Sequence, residues 1–201
     1  MSYKATQQSH FIAQLARMKL IERWPLMRSQ QRENIAEHSL MVAMIAHLLV
    51  VIENHYFDGQ LDPGQAVMQA LYHDSSEVLT GDLPTPVKYA NHELRDAYHA
   101  LEAQAEQRLL SLLPAELQPD YQSLLVHHNT SHYATIVKDA DVLSAYIKCK
   151  EEMSSGNLEF ASAERKLQQT LQERSRPALD YFIHVFVDST SLTLDDLSQW
   201  D

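Results

Sequence analysis

The sequence predicts an all-α protein, a single-domain helical bundle of about six to eight helices over residues 1–201, with its core between about 9 and 187. Three observations carry that prediction. Only 4 Gly and 7 Pro occur in 201 residues, and they gather at 25, 59–64, 81–86, 114–119, 156 and 177. Long uninterrupted segments remain between them, unlike the closely spaced turns of a β-sandwich. Within these segments apolar residues recur at steps of three and four, the period of a helix with one buried face. The hydrophobic share of 45% supplies enough apolar side chains for one core in a chain of this length.

Residues 9–21 read as the first helix. Residues 37–53 are apolar on nearly all sides and are expected at the centre of the bundle. Their longest apolar run, 40–52, is 13 residues long and contains His47, where a membrane span needs about 20, so a buried helix is expected and no membrane partner. Residues 66–79 read as one continuous helix. Leu94, Ala97, Tyr98, Leu101, Ala105, Leu109 and Leu112 define the next, which stops at Pro114. Ile136, Val137, Ala140, Leu143 and Ile147 give another stripe, and Phe160, Ala163, Leu167 and Leu171 a further one. Residues 181–187 are β-branched and aromatic and would also suit a strand; helix is preferred because no partner strand is evident.

Charge and cysteine content restrict the function. With 16 Lys and Arg against 27 Asp and Glu the net charge is −11, and the basic stripe that a nucleic-acid polymer needs is missing. Cys149 is the single cysteine and has no partner for an internal disulfide, which fits a reducing compartment and a small core-facing side chain. The first ten residues are polar with no apolar stretch behind them, so no secretory signal is visible and a cytoplasmic protein is expected.

Most of the eleven histidines stand alone, and His10, His47, His55, His92, His99, His132 and His184 are read as surface or core side chains. Three places differ. In 71–77 a helix would let His73 and Asp74 converge, with Glu77 one turn along the same face. Such a patch suits a divalent cation and suits a solvated polar face equally well. His38 opens the most apolar helix; alone it reads as an exposed residue of the first turn. Asp141 interrupts an apolar stretch beside a core stripe, where a carboxylate is costly unless paired, and Asp139 is expected to be the solvated member of the two. Together, a His, a His-Asp pair and an Asp on core-lining helices form a set that a bundle can bring to one metal.

That order, His38, His73-Asp74, Asp141, resembles the HD-domain metal-dependent phosphohydrolases, which are all-helical. The resemblance is closest to the bacterial HD-domain 5'-deoxynucleotidases. It rests on Ser9-His10-Phe11, Arg23-Trp24-Pro25-Leu26-Met27-Arg28, Ala36-Glu37-His38-Ser39-Leu40, the long run from Tyr72 to Tyr89, and Ala140-Asp141. It implies hydrolysis of deoxyribonucleoside 5'-monophosphates to deoxyribonucleoside and phosphate, selectivity against ribonucleotides, and a homodimer. It implies one divalent cation of the Mn, Co, Fe or Zn class on His38, His73, Asp74 and Asp141, of which His38, Asp74 and Asp141 also face substrate. Glu77 would then manage a proton and Arg23 hold the phosphate, with Trp24 crowding a 2'-hydroxyl, Asp82 accepting from the 3'-hydroxyl, and Leu83, Pro84 and Thr85 completing the substrate loop. Without the resemblance Arg23 would read as a surface charge, Trp24 as a core plug and Asp82 as a turn-former. No role follows for His127 and His128. The alternatives are a deoxynucleoside triphosphohydrolase, a nucleotide phosphodiesterase, or a non-catalytic metal-binding regulatory module. The Gly-Tyr-Pro tripeptide that would favour a cyclic-dinucleotide phosphodiesterase is absent.

Overall fold

The computed structural model describes residues 8–126 and 131–198, and among these it is helical, its only β pairing being an isolated bridge between Glu22 and Asn34. His127 and His128 lie outside the described residues. Among the described residues six helices have eight or more residues: α2 (Ile35–Tyr56), α3 (Pro63–Tyr72), α6 (His92–Ser111), α7 (Gln118–Leu125), α8 (His132–Ser154) and α9 (Ala161–Glu173). Short helices complete the path: α1 (Phe11–Leu15), α4 (Glu77–Thr80), α5 (Thr85–Lys88), α10 (Pro177–Phe182) and α11 (Leu194–Leu197).

Four of the six long helices start where the sequence supplies an acceptor for their first free N–H groups. Asn34 caps α2 and forms a reciprocal box with Glu37, Asp62 caps α3 ahead of Pro63, Asn91 caps α6, and Ser131 caps α8. Each such cap is worth about 1 kcal/mol. α2 packs chiefly against α3 and α8, and α8 against α9. Val42, Leu49, Ala140, Leu143 and Leu179 belong to the larger apolar cluster, while Phe11, Ile35, Leu109 and Leu125 belong to a second one. His38, on α2 between Ile35 and Val42, therefore lies where the two clusters meet.

Several expectations change. Residues 66–79 are not one helix: α3 ends at Tyr72, residues 73–76 form a turn, and α4 begins at Glu77. Bonds from Ser75 N to Tyr72 O and from Glu77 N to Asp74 O, both 3.0 Å, wind this stretch more tightly than an α-helix. Residues 9–21 likewise divide into α1 and a 3₁₀ turn, Met18–Leu20, whose Phe11 and Met18 both enter the second cluster. α2 is not enclosed all round. Ten of its residues are buried, but Leu40, Met41, Met44 and Val51 form an exposed apolar strip. By length and apolar composition α2 would pass for a membrane span, yet it is the core helix of this bundle. Residues 181–187 are helical, α10 running into one π-helical turn at Ile183–Val187.

Asp139 reverses its expected role: it is fully buried, and Arg174 Nε at 2.5 Å and Arg176 Nη2 both bond it. Those arginines, 35 and 37 residues away, cancel the cost of burying a charge. Cys149 is buried as expected, and burial pushes its thiol up to about 12.

A second buried ion pair fixes the loop before α2 to α8. Glu152 accepts from Lys148 Nζ at 2.6 Å, from the backbone N–H groups of Gln30 and Gln31 at 2.9 and 3.1 Å, and from Asn157 Nδ2 at 2.8 Å. Burial alone would raise this carboxyl; Lys148 and the three N–H donors instead bring it from 4.5 down to about 2. A depressed value means that Glu152 stabilises the fold above its ordinary titration range and stops doing so as pH falls from about 4.5 to about 2. Glu152→Gln is expected to cost on the order of 2 kcal/mol at pH 7, after discounting the full shift for solvent screening. The difference from wild type should narrow through that acid window in urea titrations. A gap of constant size across pH would contradict the assignment.

Candidate active site

The strand-like bridge that precedes α2 builds one wall of the site. Arg23 N donates to Glu33 O at 2.8 Å and Ile35 N to Ile21 O at 3.0 Å, so the loop 21–34 is closed at its base and Arg23 is carried to the start of α2. Trp24 follows with φ of 57°, the left-handed region that a bulky side chain enters only under constraint.

Four donor side chains converge beside it. His38 comes from the second turn of α2, His73 and Asp74 from the turn between α3 and α4, and Asp141 from the middle of α8. Ligand atoms of His38, His73 and Asp74 all lie within 4.8 Å of one another. Asp74 Oδ2 is 3.5 Å from His38 Nε2 and 3.2 Å from His73 Nε2, and Asp141 Oδ1 is 3.2 Å from His38 Nε2. His38 is completely buried, contrary to the first-turn exposure that its position alone suggests.

The donor set fits a divalent cation. His38 Nε2 is buried and makes no hydrogen bond, although two carboxylates stand within 3.5 Å of it. Nitrogen and oxygen atoms crowded in this way point at a common centre instead of at one another. His73 Nδ1 lies 2.7 Å from Ala70 O, and since a carbonyl can only accept, that nitrogen carries the proton and Nε2 presents its lone pair to the centre. Ser144 Oγ, 3.3 Å from His38 Nδ1, and Lys138 Nζ, 2.7 Å from Asp141 Oδ2, hold two more of the set from behind.

Electrostatics agree. Burial would raise Asp74, but the imidazoles of His73 and His38 hold it far below the usual carboxylate range. Asp141 is likewise held low against burial by Lys138 and His38. Glu77, at the first position of α4, goes the other way: burial and then the charges of Asp74 and Asp82 push it up to about 10, and its Oε2 is buried without a hydrogen bond. Arg23 Nη1 donates to Asp74 Oδ2 at 3.2 Å. Asp82 accepts from the backbone N–H of Trp24 and lies within the field of Arg23 and Asp74; burial, the largest influence on it, raises its carboxyl. Leu83 and Pro84 are half-buried in the same loop, and Thr85 is exposed at the start of α5. Tyr98 Oη bonds Gly81 O at 3.0 Å and anchors that loop to α6. A trough of about 820 Å³ opens over His73, Asp74, Glu77 and Asp141 and extends past Lys88 and Lys138.

Glu33, Lys138 and Ser144 were not singled out by sequence reasoning. Lys138 had a legible signal, its i,i+3 spacing from Asp141 on a helix. Glu33 and Ser144 had none, because their contacts with His38 depend on how the loop and α8 meet α2.

Comparison with known proteins gives a consistent picture. Residues 10–190 match the family described as 5'-deoxynucleotidase YfbR-like. A 5'-deoxynucleotidase of Photobacterium profundum is 54% identical over 194 residues, covering 96% of this chain and 100% of that protein. One from Vibrio cholerae is 53% identical over 193 residues, with the same coverage of 96% and 100%. Among solved structures, an HD-domain phosphohydrolase from Listeria innocua superposes with a TM-score of 0.78 at 26% identity, over 90% of this chain and 88% of that one. A cyanophage S-2L HD phosphohydrolase, bound to dA and one catalytic Zn2+ ion, shares the fold with a TM-score of 0.61 at 20% identity, over 96% and 100% of the two chains.

Proposed function

This chain belongs to the YfbR-like 5'-deoxynucleotidase family, and from that premise we propose how its side chains divide the work of the reaction. It is a phosphoric monoester hydrolase that converts a deoxyribonucleoside 5'-monophosphate to the deoxyribonucleoside and phosphate. The observation that carries the residue assignment is the meeting of His38, His73 and Asp74 within 4.8 Å, with Asp141 Oδ1 at 3.2 Å from His38.

His38, His73, Asp74 and Asp141 hold one divalent cation of the Mn, Co, Fe or Zn class, which when bound acts as a Lewis acid toward the phosphoryl oxygens and acidifies water. Arg23 grips the phosphate and turns it for in-line attack, exchanging its bond with Asp74 for bonds to the ester oxygens. A water oxygen bonds to phosphorus as the bond from phosphorus to O5' breaks. Glu77 gives the proton it holds to the departing O5' and regains one from the attacking water. Asp82 accepts from the 3'-hydroxyl, and Leu83, Pro84 and Thr85 shape the same loop around the sugar. Trp24 stands where a ribose 2'-hydroxyl would be crowded or left unbonded. His38, Asp74 and Asp141 face the substrate as well as the cation. The exposed strip Leu40, Met41, Met44 and Val51 on α2 supports a homodimer, since an apolar strip of this kind is costly in water. The lone buried Cys149 supports a cytoplasmic setting.

Phosphate release from deoxyadenosine 5'-monophosphate, adenosine 5'-monophosphate and a cyclic dinucleotide, with Mn or Co added and a chelator control, tests this reading. Release from the deoxyribonucleotide, lost on chelation and weak or absent with the other two, is expected. Equal release from the ribonucleotide would remove the selectivity, and chelator-resistant release would remove the metal. Trp24→Ala is expected to lower the deoxyribo to ribo ratio of kcat/KM by about tenfold or more; an unchanged ratio would refute the part given to Trp24.

A further inference from the structure

Glu33 touches three parts of the site at once. Its Oε2 accepts from Trp24 Nε1 at 3.2 Å and lies 3.6 Å from Arg23 Nε, while Oε1 is 3.7 Å from His38 Nδ1. The backbone reinforces the arrangement, because Glu33 O accepts from Arg23 N across the bridge that closes the loop. The carboxylate is thereby held at a fixed height beside both residues of the Arg23-Trp24 pair.

Trp24 needs such a partner. Its left-handed backbone carries the side chain away from an ordinary loop path, and its ring meets the buried Phe160 edge-on, with centroids 5.4 Å apart. An edge contact leaves an indole free to swivel, whereas a bond from its N–H to a charged oxygen does not. Arg23 needs it too. It stands between Glu33 and Asp74, so without Glu33 the guanidinium would be drawn further toward a metal ligand and away from an incoming phosphate.

We propose that Glu33 is a positioning residue for sugar discrimination: its carboxylate fixes the indole of Trp24 and balances Arg23, so selectivity depends on a side chain that does not itself bind the sugar. The proposal rests on the reading of Trp24 as the sugar-facing plate.

The test compares kcat/KM for deoxyadenosine and adenosine 5'-monophosphates in wild type, Glu33→Ala, Glu33→Gln, Trp24→Ala and the double alanine variant. Trp24 emission is read alongside in a Trp200→Phe background, which leaves one tryptophan of the two. Glu33→Ala is expected to lower the deoxyribo to ribo ratio by about tenfold, to raise KM more than it lowers kcat, and to shift Trp24 emission to longer wavelength with easier quenching by acrylamide. The double variant should have the same ratio as Trp24→Ala, because both changes remove one device. Glu33→Gln, which keeps an oxygen for the indole N–H, should recover most of the ratio. An unchanged ratio in Glu33→Ala beside a lowered one in Trp24→Ala overturns the proposal and leaves the function reading intact, as do additive losses in the double variant. An unchanged ratio in Trp24→Ala removes the reading of Trp24 and the proposal with it. If Glu33→Ala does not fold, Trp24→Phe decides: it deletes the N–H and leaves the carboxylate, so a lowered ratio supports the proposal and an unchanged one overturns it.

Discussion

Glu77→Ala is expected to reduce kcat by about 10² to 10⁴-fold while leaving metal content and thermal stability close to wild type. The expectation follows from where the carboxyl sits. It opens α4, directly after the turn that carries His73 and Asp74, and it is half-buried with Oε2 unbonded. Burial and the nearby charges of Asp74 and Asp82 push its carboxyl up to about 10, which suits the proposed part of giving a proton to the leaving oxygen. It is not among the closely grouped His38, His73 and Asp74, so its removal leaves the donor set whole. Its Oε2 makes no hydrogen bond, so the substitution leaves no donor unpaired there and stability should change little. Atomic absorption on the purified variant, a melting curve and single-turnover kinetics check the three statements together. Loss of metal with unchanged activity per bound ion would instead make Glu77 a ligand.

Asp139→Asn should produce the largest loss of stability, about 3 to 5 kcal/mol. The side chain is wholly enclosed, and it joins α8 to Arg174 and Arg176 at the junction of α9 and α10. Substitution by the neutral amide leaves two guanidinium groups facing each other across a site with no anion, and one amide N–H₂ pointing at donors. Urea denaturation measures the loss, and activity per folded molecule at 25 °C should stay close to wild type because Asp139 has no part in the reaction. A loss below about 1 kcal/mol would show that the arginines escape to water at little cost.

Asp139 and Asp141 also mark how far the sequence could be read. That α8 is a helix with a costly carboxylate was legible from its apolar stripe, and so was the set His38, His73, Asp74 and Asp141 from its order along the chain. Which of two aspartates two residues apart is enclosed was not, because the answer lies in arginines more than thirty residues away. The division of 66–79 into α3, a turn and α4 was hidden for a related reason. No Gly or Pro interrupts 66–79, and a switch to shorter backbone bonds leaves no mark on apolar periodicity. The open side of α2 was equally invisible, since a leucine or methionine looks the same whether another helix covers it or nothing does.

The stretch from 21 to 34 is tied at both feet by the bridge and nailed at mid-span to the far end of α8 by Glu152. A chain so moored has no slack, and one residue more or less would have to be absorbed by turning Arg23 or Trp24 aside. Across lineages, length should therefore drift in the connectors at 57–62 or 114–117, and stay constant in this noose.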